Sequence, residues 1–250
     1  MPTISFRNPS NITKLKFTSI STERLGGVID ASAFENLEEL TCHGNDITGM
    51  TGFYNNPNMR IVLASDNKLS GSIPDLTSMT NLKRYWVHMN EHTGGFPNIN
   101  GLSELGVINI SDNNLTGTLP ADLQSLQVPR LVRLIVYKNA FTGAIPDCAG
   151  MNILNYVQVS YNNLTDFTGG VEPSVSRFYA HNNNLTQTAV DNILQAFVDA
   201  GRSAPNDDMS EAIINVSGTN NSHPSAAGLA NANTLRSRGW SVIVSPYPIN

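Results

Sequence analysis

The stretch that decides the fold is Leu105-Gly106-Val107-Ile108-Asn109-Ile110-Ser111-Asp112-Asn113-Asn114-Leu115-Thr116-Gly117-Thr118-Leu119-Pro120. Alternating inward and outward residues in its first half have the period of a short strand with one buried face. Beyond Asn113 stand a glycine and a proline, residues that turn a chain. The same frame recurs on both sides. Before it come Leu37, Leu40, Cys42, Asn45 and Ile47; then Met59, Val62, Ala64, Asn67 and Leu69; then Leu82, Tyr85, Val87 and Asn90. After it come Leu131, Leu134, Val136, Asn139 and Phe141; then Leu154, Val157, Val159, Asn162 and Leu164; then Val175, Phe178, Ala180, Asn183 and Leu185. The asparagines step by 22, 23, 23, 26, 23 and 21 residues. Ile12, Leu15, Phe17 and Ile20 fit one unit earlier, with isoleucine in the asparagine place. A period of this length marks a solenoid, in which each unit buries its apolar face only against its neighbours.

The frame resembles that of the leucine-rich-repeat family, over residues 12–186. Leu69-Ser70-Gly71-Ser72-Ile73-Pro74, Leu115-Thr116-Gly117-Thr118-Leu119-Pro120 and Phe141-Thr142-Gly143-Ala144-Ile145-Pro146 resemble its plant-specific L-x-G-x-I-P subclass. The resemblance implies an α/β solenoid: a right-handed superhelix with a concave parallel sheet and turns or 3₁₀ segments on the convex side. The residue chemistry points the same way. Asn45, Asn67, Asn90, Asn113, Asn139, Asn162 and Asn183 stand where the chain leaves each strand. There an amide can satisfy backbone groups that no sheet reaches, which predicts a ladder of asparagines inside the coil. Thr48, Ser70, Thr93, Thr116, Thr142, Thr165 and Thr186 recur three residues later, and a hydroxyl bond to local backbone is their expected role. Asn114, Asn163 and Asn184 match the glycosylation acceptor pattern, but the repeat itself writes Asn-Leu-Thr, so the matches carry little information.

The pattern changes after the last unit. Thr188–Gly201 spaces Val190, Ile193, Leu194, Phe197 and Val198 as on one face of a helix. A strand at Ile213–Val216, a helix opened by Pro224-Ser225 and a final strand at Trp240–Val244 complete an expected α/β C-terminal cap. The run Gly218–Leu229, with Leu235 and Gly239-Trp240, is similar to the closing units of leucine-rich-repeat proteins of tailed bacteriophages. The chain thus divides into residues 1–36 (an N-terminal unit), 37–186 (seven repeats) and 187–250 (the cap). Ile4, Phe6, Ile12, Leu15 and Phe17 would expose an apolar edge, so residues 1–11 or a partner subunit are expected to cover it.

Composition narrows the function. The 250 residues are only 14% charged, against about 25% in ordinary proteins, and 31 asparagines fill the gap. A net charge of −5 argues against general nucleic-acid binding. No run reaches the roughly 18 apolar residues of a membrane span, so no membrane insertion is expected. The N-terminus lacks the pattern of a secretory signal. Cys42 and Cys148 are too few for a disulfide framework, and Cys42 reads as a buried hydrophobe.

Between the inward residues, three columns should line the concave sheet. Two places before each asparagine stand His43, Ser65, His88, Ser111, Tyr137, Ser160 and His181. Four places before stand Thr41, Leu63, Trp86, Asn109, Ile135, Gln158 and Tyr179, and six places before stand Glu39, Ile61, Arg84, Val107, Arg133, Tyr156 and Arg177. With Lys14, Lys16, Lys138 and Tyr161 alongside, the face is cationic and aromatic, against Glu39, Asp66 and Asp112. Arginine supplies forked donors and aromatic rings supply rigid contact area. The candidate binding residues are therefore Arg84, Trp86, His88, Arg133, Tyr137, Lys138, Tyr156, Tyr161, Arg177, Tyr179 and His181; scattered solvated strand positions are the plainer alternative.

Catalysis has no obvious home. His43, His88 and His181 lie at least two rungs apart, too far to share a metal. Asp66 and Asp112 are separated by a rung, and nothing encloses them as a glycosidase pair. Asp207, Asp208 and Glu211 lack the spaced ligands of a calcium loop. No cofactor is expected. These observations point to a non-catalytic protein- or glycan-binding module. The cap's resemblance implies a bacteriophage virion component, a tail fibre or surface protein in particle assembly or host recognition. Its partners would be other virion proteins or a host-envelope protein or glycan. A secreted or cell-surface recognition protein and an intracellular scaffold are the alternatives.

Overall fold

A computed structural model describes residues 11–17, 24–203 and 212–245. In chain order the elements begin β1 (Lys14–Lys16), β2 (Gly26–Asp30), β3 (Glu39–Thr41), β4 (Asp46–Thr51), β5 (Ile61–Leu63) and β6 (Ser70–Ser72). They continue β7 (Arg84–Trp86), β8 (Glu91–Thr93), β9 (Val107–Asn109), β10 (Arg133–Ile135), β11 (Thr142–Ala144) and β12 (Tyr156–Gln158). The last are β13 (Asn163–Asp166), β14 (Arg177–Tyr179), α1 (Gln187–Asp199), β15 (Ile213–Asn215), α2 (Ala226–Ser237) and β16 (Ser241–Ile243). One ten-stranded sheet runs β1-β3-β5-β7-β9-β10-β12-β14-β15-β16. Each neighbouring pair is parallel and in register, as with Leu134 opposite Ile108 and Val157. The leucine-rich-repeat solenoid expected from the sequence is therefore the fold. Its inward residues Leu40, Val62, Tyr85, Ile108, Leu134, Val157, Phe178 and Ile214 are buried in one continuous core.

Behind the sheet the structure is more regular than turns alone. A 3₁₀ turn occupies Gln124–Leu126, and short parallel pairs β2–β4, β6–β8 and β11–β13 form a second line of strands. Here the recurring threonines act across coils. Thr48 Oγ1 donates to Gly27 O, Thr142 to Gly117 O and Thr165 to Gly143 O, at 3.1–3.3 Å. Their partners belong to the preceding coil, not to local backbone as expected. Thr186 alone acts locally, accepting from Ala189 N as the N-cap of α1.

The asparagine ladder forms, and its wiring repeats from coil to coil. Asn162 Nδ2 donates to Val159 O and Ser160 O of its own coil and to Val136 O of the coil before, while its Oδ1 accepts from Phe141 N. Asn45, Asn67, Asn90, Asn113 and Asn139 repeat that set, and Asn183 repeats it with one carbonyl of its own coil, Ala180 O, each joining its own turn to the previous one. A buried amide with all its bonds made both staples adjacent coils and fixes the path of the turn.

The turn before each asparagine is left-handed. Gly44 has φ +71°, and Asp66, Met89, Asp112, Lys138, Tyr161 and Asn182 all lie between 51° and 55°. Glycine, asparagine and aspartate enter this region readily. Met89, Lys138 and Tyr161 do not, at a cost of about 1 kcal/mol each.

The cap follows the expected strand–helix–strand order. β14, β15 and β16 are parallel, α1 buries Val190, Ile193, Leu194 and Phe197, and Phe197 packs on Trp240 at 5.3 Å. Cys42 and Cys148 are free and buried, and burial pushes both thiols up to about 12. The acidic cluster Asp207, Asp208 and Glu211 lies outside the described residues, as do residues 1–10 and Ile20.

Candidate functional site

Strand pairing builds the site by setting side chains from distant repeats at neighbouring rungs. Arg84, Val107, Arg133, Tyr156, Arg177 and Ile213 stand opposite one another in turn across β7, β9, β10, β12, β14 and β15. The adjoining column reads Trp86, Asn109, Ile135, Gln158, Tyr179 and Asn215. Side chains of both columns are exposed or half-buried, as expected for the outward face.

The aromatic residues separate into two groups. Trp86 and His88 meet edge-on at 6.5 Å on one coil. Roughly three rungs away, about 14 Å at 4.8 Å per rung, Tyr156, Tyr179, His181 and Tyr161 form a chain. Its contacts are Tyr156–Tyr179 at 5.7 Å, Tyr179–His181 at 6.1 Å and Tyr161–His181 at 5.2 Å. Tyr137, expected to join them, makes no ring contact among the described residues. The sequence shows the columns but not the rotamers, so it could not divide them.

Burial tunes these groups. Burial, opposed by the charges of Asp112 and Asp66, holds the His88 imidazole below its ordinary 6.5; burial alone lowers that of His181. Both rings are thus neutral at pH 7. Trp86 Nε1, His88 Nδ1 and His181 Nδ1 are buried atoms with no hydrogen-bond partner in the protein. Burial, joined by Tyr179 and Tyr137, raises the Tyr156 phenol against the opposing pull of Arg177 and Arg133.

The charges on the face are not equivalent. All three carboxylates are paired: Glu39 with Lys14 at 2.7 Å, Asp66 with Arg24 at 3.0 Å and Asp112 with Lys138 at 3.5 Å. Lys138, a candidate binding residue, therefore faces Asp112 in an exposed ion pair. Arg24, which the repeat frame does not contain, emerges as a closing residue; it also donates to Asn45 O and Asp66 O. Only spatial proximity reveals it. Arg84 and Arg133 have no ion pair among the described residues, so β7 and β10 each carry an unpaired positive charge on this face. Among the described residues no three His, Cys, Asp or Glu side chains gather to hold a metal. Among the described residues no helix is long and apolar enough to cross a membrane.

Comparison with known proteins agrees with this architecture. The family model described as Leucine Rich Repeat matches residues 104–126. A receptor-like kinase of Arabidopsis thaliana, TMK4, is 38% identical over 61 residues, which is 24% of this chain and 7% of that protein. Among solved structures, a TDR receptor aligns over 93% of this chain and 38% of its own, with TM-score 0.65 and 22% identity, a likeness of fold. The plant peptide hormone receptor RGFR1, solved in complex with RGF2, aligns over 71% of this chain and 33% of its own, with TM-score 0.60 and 25% identity. The chain thus spans a small part of the curated relative and about a third of these receptor structures.

Proposed function

We propose that the concave sheet of this leucine-rich-repeat solenoid is a non-catalytic binding surface for a protein or peptide partner. The observation that carries this reading is the outward column pair from β7 to β14, where two arginines without ion pairs stand beside half-buried aromatic rings. Such rings lose little conformational entropy on binding, and arginine recognises carboxylates bidentately, so the combination suits a protein partner. The receptor solved with RGF2 supports the same class of ligand.

A random peptide library panned on the immobilised chain tests this. Enriched peptides should lose roughly tenfold or more in affinity to a Tyr156→Ala/Tyr179→Ala variant, the size of a hot-spot loss. They should bind an Arg60→Ala variant normally, because Arg60 lies outside these columns, paired to Glu38. Binders indifferent to the tyrosines would remove the concave face as the site.

The finer setting is part of the same proposal. The cap sequence Gly218–Leu229 with Gly239-Trp240 supports a tailed-bacteriophage particle protein, whereas the plant receptor relatives support an extracellular recognition protein. Mass spectrometry of purified virions separates them: a particle protein is found there, and absence from virions leaves the extracellular reading.

A further inference from the structure

We infer that the ligand of this face is a proline-rich segment in the polyproline II conformation, laid across the strands from Asn109 to Asn215. This rests on the concave-face reading and specifies its ligand. One column carries it. Across β9, β10, β12, β14 and β15, the residues Asn109, Ile135, Gln158, Tyr179 and Asn215 stand opposite one another in turn. Amides thus alternate with apolar side chains, and all five residues are half-buried. Each amide oxygen is already engaged by the serine two positions on. Asn109 Oδ1 accepts from Ser111 N and Oγ, Asn215 Oδ1 from Ser217 N and Oγ, and Gln158 Oε1 from Ser160 Oγ. A backbone N–H can only donate, which fixes which way the Asn109 and Asn215 amides point. The NH₂ groups of all three amides have no partner among the described residues.

The column therefore offers donors, while its acceptors are spent. Trp86, one rung before Asn109, adds an Nε1–H that is buried without a partner in the protein. A ligand whose own polar groups are all acceptors fits such a row. Proline supplies a C=O and no N–H, and polyproline II leaves its carbonyls without internal hydrogen bonds. Sugars and ordinary peptides bring donors as well, and these would find few free acceptors here. Glu39, Asp66 and Asp112 are already paired with cations.

Spacing selects the same conformation. Alternate rungs of the sheet lie roughly 9.6 Å apart, and polyproline II completes a turn every three residues, about 9.3 Å. Residues three apart lie on one face of that helix. Successive turns would therefore bring carbonyls to Asn109, Gln158 and Asn215, with proline rings between them on Ile135 and Tyr179, the kind of apolar and aromatic lining that such helices favour. From Asn109 to Asn215 the two periods part by only about 0.6 Å. A β-extended peptide repeats each face about every 6.7 Å and falls out of step within one amide interval.

Fluorescence anisotropy with labelled, end-blocked oligoprolines of about four turns tests the inference. One probe is all-L; in the other, alternate prolines are of D configuration, which cannot hold the left-handed helix. The first should bind at least about tenfold more tightly. Added salt should change its affinity little, because the ligand is uncharged. Gln158→Glu keeps the side-chain shape and replaces the donor by an acceptor, so it should weaken the all-L probe about tenfold. Arg60→Ala should leave binding unchanged. Circular dichroism confirms that each variant folds. Equal binding of the two probes, binding of neither, or an all-L affinity indifferent to Gln158→Glu would overturn the inference, as would Gln158-dependent binding of cellohexaose alone. If library-selected peptides need Tyr156 and Tyr179 yet bind without proline, the proposed function stands and only the proline-rich ligand is lost.

Discussion

The seven coils and the C-terminal cap solve one problem with different backbones. In the coils, each turn returns through short strands and bends, and an asparagine three residues beyond the last inward strand residue staples it to its predecessor. In the cap, helices α1 and α2 make the return. Yet the same staple continues. Asn221 Nδ2 donates to Val216 O and Ser217 O of its own turn and to Ala180 O of the preceding one, while its Oδ1 accepts from Leu185 N and Asn183 N. It lies five residues beyond Val216, not three, and so falls outside the repeat frame. The extra residues turn through Gly218, at φ +124°, where a Cβ would come within 2.5 Å of Asn182 N. Ser245 Oγ then donates to Gly218 O and Asn221 O, extending the contact to the last described residue. The comparison teaches that the sheet register and the amide staple are the invariants of this fold. The route behind them is free to vary.

The strongest test of that equivalence removes one staple from each region. Asn162→Ala and Asn221→Ala each strand several buried backbone groups, and each should cost about 3 kcal/mol, given 1–3 kcal/mol per unsatisfied buried group and partial relaxation. Urea denaturation measures this. A cost for Asn221→Ala well below that for Asn162→Ala would make the cap an appended unit with an incidental asparagine.

A second test uses acid to weaken the coils selectively. His92 is buried behind the sheet with Nδ1 bonded to Gly71 O, and burial holds it below its ordinary 6.5. Lowered values at His88 and His181 act the same way. The unfolded chain takes up these protons first, so the contribution to stability is complete above pH 6.5 and is lost as pH falls towards the lower folded values. The slope cannot exceed about 1.4 kcal/mol per pH unit for each histidine. Melting temperatures measured across this range should decline with acid, and His92→Gln should flatten the curve. An unchanged slope in that variant would assign the acid sensitivity elsewhere.

The smallest effect concerns the left-handed turn. Met89 and Tyr161 are 49% and 48% exposed at left-handed positions that asparagine tolerates better. Met89→Asn should therefore stabilise the coils by about 0.5–1 kcal/mol. Asn182, the equivalent residue beside the cap, already has the favourable type, so Asn182→Met should lose a similar amount. Thermal melts of the pair would show opposite shifts; shifts of the same sign would break the correspondence between coil and cap turns.

Much of this was legible in one dimension. Inward Leu105, Ile108 and Ile110 and the spacing of Asn113 identify strand, core and staple together, because a repeat applies the same steric and hydrogen-bond demands many times. The first cap helix was legible from its apolar spacing and the second from Pro224-Ser225 at its start, whereas the cap that Thr186 provides for the first was not. Asn221 was not, because its five-residue offset matches no other unit. Nor was the inter-coil role of Thr142, whose partner Gly117 lies a full turn earlier in sequence. At the candidate site, the columns containing Arg84, Tyr156 and Tyr179 were readable. The pairing of Lys138 with Asp112 and the isolation of Tyr137 from the ring cluster were not.

By itself the sequence determined the coil, its register and the residue types on each face, since period and burial are properties of spacing along the chain. Only the tertiary structure decided which charges remain unpaired, which rings touch and which asparagine closes the ladder. Those outcomes depend on distances of a few ångströms between residues more than twenty positions apart, and a linear pattern does not contain them.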